Sequence, residues 1–139
     1  SPITNLTDEA LKAISSDVES LRARSLASRQ DNLIEEFTST AKRMKISVDL
    51  QPEKFLTLTK KNGNEIAIIP TVGVPQSLTY NQTEELIKRI RKNKLPEIFL
   101  LYDHRNIIEK WQKHLIWLDL YLPIKAVKVT EIENWIAKL

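Results

Sequence analysis

Phe55-Leu56-Thr57-Leu58-Thr59-Lys60-Lys61-Asn62-Gly63-Asn64-Glu65-Ile66-Ala67-Ile68-Ile69 is the stretch that decides the fold. Two apolar-rich runs flank the polar segment Lys60–Glu65. Within it, Asn62-Gly63 is a dipeptide that tolerates the positive φ of a tight hairpin turn. The stretch therefore predicts a hairpin. Its second arm, Ile66–Ile69, is apolar at every position, so neither of its faces belongs in water. A strand of that kind sits in the middle of a sheet that is covered on both sides.

Working upstream, Ile46-Ser47-Val48-Asp49-Leu50 alternates with period two, as a half-buried strand does, and Pro52 interrupts the pairing. Before it, Leu33, Ile34, Phe37, Ala41 and Met44 form a helical stripe, with Asp31 as its candidate cap. Thr7-Asp8-Glu9 gives an earlier helix a capping hydroxyl and two acids where the macrodipole favours them. Along that helix Leu11, Ile14, Val18 and Leu21 recur at spacings of three and four. Ser25–Arg29 is the expected break, leaving an N-terminal helix within residues 1–29 and a core over 31–139; one long bent helix is the alternative.

Working downstream, residues 70–77 read as a loop and Thr79-Tyr80-Asn81-Gln82 as a capping box. The helix it opens turns Leu86, Ile87 and Ile90 inward and ends by Asn93 and Pro96. Ile98–Tyr102 is a buried strand, and Asp103 or Asn106 opens a helix bearing Ile107, Ile108, Trp111 and Leu115. A short strand, Ala126–Val129, precedes a second capping box, Thr130-Glu131-Ile132-Glu133, and a last helix that packs Ile132, Trp135, Ile136 and Leu139. Strands joined through helices pair in parallel with right-handed crossovers, whereas the hairpin is antiparallel. The fold class is α/β: a mixed sheet of about five strands flanked by helices, with an extra N-terminal helix.

The 139 residues fit one domain, and with 42% hydrophobic residues they can build a real core. No cysteine is present, so disulfides, thiolate zinc sites and thiol nucleophiles all drop out. That fits an intracellular setting, cytoplasmic or nuclear. The start of the chain lacks a charged-then-apolar secretory pattern, and no apolar run reaches the ~18–20 residues of a membrane span. Gly63 and Gly73 are the only glycines, too few for a phosphate-binding loop or a dinucleotide fingerprint. His104 and His114, ten apart without a third ligand nearby, make no zinc site. His104, flanked by Asp103 and Arg105 beyond a buried strand, has no serine or cysteine nucleophile beside it, and a surface histidine next to a capping aspartate is the simpler reading. No cofactor, metal or catalytic residue is expected.

The net charge is only +3, yet the basic residues cluster. Lys42, Arg43 and Lys45 form one group, and Lys88, Arg89, Arg91, Lys92 and Lys94 the densest. Such groups attract phosphate backbones, although a solvated helix face has the same composition. Two apolar features suggest a protein partner instead. One is the stripe Leu11, Ile14, Val18 and Leu21, on a helix that is marginal without packing. The other is Leu115–Leu122, where Trp117 is the aromatic residue least expected in the core.

The order of a helix, three antiparallel strands, a helix and a parallel strand resembles the restriction-endonuclease-like, or PD-(D/E)xK, nuclease family. Asp31–Lys45, Ile46–Leu50, Phe55–Lys60, Glu65–Thr71, Thr79–Asn93 and Glu97–Tyr102 follow it element by element. Ile66-Ala67-Ile68-Ile69-Pro70-Thr71-Val72-Gly73 looks like the family's catalytic strand, and Leu78–Gln82 like the start of the following helix. The resemblance implies an acid at position 69 and a lysine at 71, to bind a divalent metal and polarise the attacked phosphate. This chain has Ile69 and Thr71 there, and Phe55–Thr59 lacks the aspartate implied for the preceding strand. Only Glu35 or Glu36 matches the family's occasional helix acid. The resemblance thus implies a degenerate nuclease-like domain, lacking the catalytic motif, that binds nucleic acid within a larger protein or complex. The alternative is an assembly domain that uses the N-terminal helix and residues 115–122, with a protein partner or a second copy. A metal-dependent nuclease would require Glu36, Asp49 and Glu65 to converge.

Overall fold

In a computed structural model of the chain, residues 7–72, 80–92, 97–104, 108–117 and 123–139 are described. Helix α1 (Asp8–Arg43) leads into strands β1 (Ser47–Leu50), β2 (Leu56–Thr59) and β3 (Glu65–Thr71). Helix α2 (Tyr80–Lys92), β4 (Ile98–Tyr102), α3 (Ile108–Trp117), β5 (Ile124–Lys128), a 3₁₀ turn at Val129–Glu131 and α4 (Ile132–Ala137) complete it. The strands form one sheet in the order β1-β2-β3-β4-β5, so neighbours in space are neighbours in sequence. The first two pairings are antiparallel and the last two parallel.

Strand β3 lies in the middle, as its two apolar faces require. Its even-numbered residues Ile66 and Ile68 join Leu56, Leu58, Phe99, Leu101 and Val127 under α1 and α4. Its odd-numbered residues Ala67 and Ile69 join Phe55, Ile98, Leu100 and Ile124 under α2 and α3, which contribute Ile87, Trp111 and Leu115. Period two therefore divides one strand between two cores, and the domain has three layers. Trp135 closes the first core, its ring edge-on to Phe99 at 4.8 Å and 6.0 Å from Phe37.

The expected break at Ser25–Arg29 does not occur. α1 is one 36-residue helix, the alternative reading, and Thr7 caps its start by accepting a hydrogen bond from the Ala10 N–H at 3.2 Å. Nothing in Ser25–Arg29 is a proline or glycine, and small polar residues can continue a helix whose later turns are anchored by packing. Asp31 is accordingly mid-helix and pairs with Lys54 at 3.3 Å instead of capping. The capping box at Thr130 is not formed either. The 3₁₀ turn occupies those residues, no side chain caps α4, and Glu133 reaches across to Arg43 at 3.2 Å. Thr79 and Gly73 lie outside the described residues.

Both hairpins use the same turn. Gly63 donates its N–H to the Lys60 carbonyl and Lys60 its own to that of Asn64; Lys54 and Gln51 repeat the pattern with Gln51 and Phe55. Pro52 thus stands inside a turn, where its fixed φ is useful, and does not disrupt a strand. The third turn residue needs positive φ: Gly63 has +89°, whereas Lys54 adopts 62° at a steric cost. Lys45 shows the same strain (φ 61°) just after α1. There the Ile46 N–H bonds the Ala41 carbonyl and the Lys45 N–H that of Lys42, a Schellman motif whose preferred residue is glycine. We expect Lys45→Gly to raise stability by about 0.5–1 kcal/mol in urea denaturation, because only the strain is removed. An unchanged or lowered midpoint would mean that Lys45 is held there by something other than the turn.

Candidate functional site

Positions 69 and 71, where nuclease chemistry would stand, are part of the core. Ile69 packs beneath α2 and α3 among Phe55, Leu100 and Trp111. Thr71 is buried and donates its hydroxyl to the Leu101 carbonyl at 2.9 Å, so its polar group is already used inside the sheet. In β2, Thr57 is likewise buried and accepts from Gln51 Nε2 at 3.2 Å. Asp49 and Glu65 lie on the Ala67 face by register, but with β2 between them and offset by two residues, a separation of about 10 Å across the sheet. Glu36 is on α1, over the opposite face. Among the described residues, no three His, Asp or Glu side chains come together as a metal site would need.

An open cleft of about 410 Å³ forms beyond the carboxyl ends of β4 and β5, where α/β sheets commonly place ligands. α1 passes over it with Arg29, Asn32, Leu33 and Glu36; Asp103 and His104 follow β4, and Val129 and Thr130 follow β5. Its fixed point is a fork-to-fork ion pair, in which Arg29 Nε and one terminal nitrogen donate to the two Asp103 oxygens at 3.0 and 2.9 Å. Asp103 Oδ1 also accepts the His104 N–H at 2.8 Å. Burial pushes the Asp103 carboxyl up, but the Arg29 hydrogen bonds and the His104 N–H outweigh it, so its pKa lies below the usual aspartate value. The His104 ring is solvent-exposed, 4.0 Å from that carboxylate. The Arg29–Asp103 pair makes this cleft a joint between α1 and the sheet. His114, half-buried between Trp111 and Trp117, has its pKa pushed down by burial.

The basic residues sort by partner. Arg43 pairs with Glu133, Lys88 with Glu85 at 3.6 Å, and Arg89 Nε with Glu53 at 2.6 Å, tying α2 to the first hairpin. Lys42, Lys45, Lys61 and Lys92 are exposed with no ion pair among the described residues, and Arg91 makes an interaction of its own. Lys94 lies outside the described residues. α1 and α2 cover opposite faces of the sheet, so the two sequence clusters sit in different layers. The α1 cluster lies at the end of the sheet where β1 begins, whereas Arg89 on α2 meets Glu53 in the β1–β2 turn at the other end. α1 finishes where β1 begins; Ser47 is level with Thr59, beside the Lys60–Asn64 turn. Parallel pairing of β3 and β4 obliges α2 to run back toward the start of β4, where Glu97 meets Lys60 at 3.9 Å. Lys61 escaped sequence analysis because its segment was read for turn chemistry alone. Its signal was present: two adjacent lysines at a hairpin tip beside a basic helix end.

The stripe Leu11, Ile14, Val18 and Leu21 is exposed throughout, between 49% and 60%. α1 enters the core only from Leu33, so its first five turns form an arm beyond the domain. The apolar segment 115–122 divides: Leu115 is core, Ile116 and Trp117 are exposed, and residues 118–122 lie outside the described ones.

Two outcomes test these placements. Ile69→Glu should destabilise the fold by about 3 kcal/mol or more in chemical denaturation, because it puts a carboxylate where no partner exists; a cost below 1 kcal/mol would mean that the site is wetter than its packing indicates. Asp103 carries a depressed pKa, so its pair stabilises fully above the ordinary aspartate range, about pH 4, and is lost as pH falls through the lowered value. Asp103→Asn should therefore cost about 1–2 kcal/mol at pH 7 and lessen the acid sensitivity of unfolding below about pH 4. Parallel pH profiles for the two proteins would contradict this. Searches of protein-family models, curated proteins and solved structures find no match for the chain.

Proposed function

We propose that this domain is a non-catalytic, restriction-endonuclease-like module that holds nucleic acid by its phosphate backbone. The fold comparison rests on element order: the later half of α1, the antiparallel β1-β2-β3, then α2 and the parallel β4 follow that family's core. The absence of chemistry rests on Ile69 and Thr71, whose side chains are committed to packing and to a sheet hydrogen bond.

One observation carries the binding half. Lys42, Lys45 and Lys61, from α1, the turn after it and the second hairpin, lie at the end of the sheet where β1 begins, and Lys92 closes α2; none of the four has an ion pair among the described residues. An exposed ammonium on a flexible stem suits a polyanion, giving a point charge without base readout. An open groove of about 500 Å³, lined by Thr38, Lys42, Lys45, Ile46, Ser47 and Val48, adjoins two of the four. Arg43, Lys88 and Arg89 are already ion-paired and take a lesser part.

Four phosphate contacts predict a slope of about −3.6 in log affinity against log salt on duplex DNA, or about a hundredfold loss between 50 and 200 mM. Fluorescence anisotropy with a labelled duplex and with a labelled single strand measures it. Changing the four lysines to glutamate together should abolish binding to either. Affinity that is flat across that salt range, or that survives the fourfold change, removes the proposal.

A further inference from the structure

We infer that the arm of α1 is a homodimerisation element, in which two copies pair their helices antiparallel through Leu11, Ile14, Val18 and Leu21. The spacing of three, four and three places these residues at successive a and d positions of a coiled-coil seam. All four are exposed, and the seam ends where the next two seam positions, Ser25 and Ser28, are small and polar. At 100° per residue the seam is turned by roughly 120° from the face that buries Leu33, Phe37 and Ala41. The chain's own sheet therefore does not cover it, and the seam is open to another molecule.

Two features select a second copy. The seam is its own complement when reversed: Leu11 meets the partner's Leu21, and Ile14 the partner's Val18, as a two-fold interface requires. The charges beside it are also segregated, with Asp8, Glu9, Asp17 and Glu19 toward the start and Arg22, Arg24 and Arg29 toward the end; Lys12 is the exception. Reversal brings the Asp8 carboxylate of each copy to the partner's Arg22. Parallel pairing would set Asp17 beside the partner's Arg22 but also Arg24 beside the partner's Arg29, which is already committed to Asp103. One like-charge approach remains, Asp17 against its own copy at the centre. Four half-exposed aliphatic side chains per copy bury together on the order of 700 Å², and the flanking stems bring the total toward the lower bound of a specific interface, about 1,000–1,200 Å². An interface of this size belongs with weak, transient complexes.

Sedimentation equilibrium of the whole chain, in the absence of nucleic acid, tests this over roughly 1–200 µM. A monomer–dimer equilibrium is expected, lost in Ile14→Asp/Val18→Asp while the thermal midpoint by circular dichroism stays unchanged, because neither residue touches the core. Asp17→Asn should tighten the dimer several-fold. The chain has no cysteine, so Ser15→Cys is a clean probe: residue 15 lies beside its own copy only in the antiparallel arrangement, and a disulfide-linked dimer should form on mild oxidation. A monomer at the highest concentration, an assembly larger than two, a dimer indifferent to the seam substitutions, or a Ser15→Cys chain that stays uncross-linked overturns the inference. None of these outcomes bears on the salt dependence of nucleic-acid binding, which depends on the other end of the molecule.

Discussion

The need to keep water from both faces of β3 governs this structure. A strand reading Ile66-Ala67-Ile68-Ile69 cannot be an edge, and it cannot line one side of a two-layer sheet. It needs a strand on each flank and a helix above and below. The hairpin supplies one flank, and the crossover through α2 supplies the other. Period two then assigns Ile66 and Ile68 to the core under α1 and α4, and Ala67 and Ile69 to the core under α2 and α3. At roughly 2 kcal/mol for each large aliphatic side chain withdrawn from water, this strand alone contributes several kcal/mol to folding. The same demand fills position 69 with a methyl-bearing chain.

α1 shows two regimes within one helix. From Leu33 onward its burial is set by the sheet, and its end is fixed by the Schellman hydrogen bonds of Lys45 and Ile46. Before Arg29 it contributes no buried residue, and its helical state follows from the Thr7 cap, the acids of its first turn and continuity with an anchored helix. The Arg29–Asp103 pair stands at the boundary. Bidentate geometry resists rotation about a single bond, so it sets the angle at which the arm leaves the domain better than a lysine pair could.

Much of this was legible in the residues. The hairpin around Asn62-Gly63, the central position of β3, the parallel β4 and the stripes of α1 and α4 all follow from period and turn chemistry. Failures came where a local signal met a tertiary demand. Ser25–Arg29 suggests a stop only if each helix is considered alone, and Thr130 caps nothing because Glu133, its reciprocal partner, serves Arg43 instead. Pro52 looked like a defect in a strand because the first hairpin has Lys54, not glycine, at its left-handed residue. The basic residues were legible as clusters but not as a surface. Which are spent on ion pairs, as Arg89 is on Glu53, depends on loop positions that sequence spacing does not encode.

The sheet's sequential order has a consequence for how the chain assembles. Every strand joins one that precedes it directly, so no strand waits for a distant segment to be inserted between two others. Loop-closure entropy is met in successive steps, short for the two hairpins and longer for the two parallel crossovers. The most distant meeting among the described residues is between α4 and α1, where Ile132, Ile136 and Trp135 reach Phe37. On that side of the sheet α1 covers only part of the apolar surface, and the rest stays open to water until α4 docks.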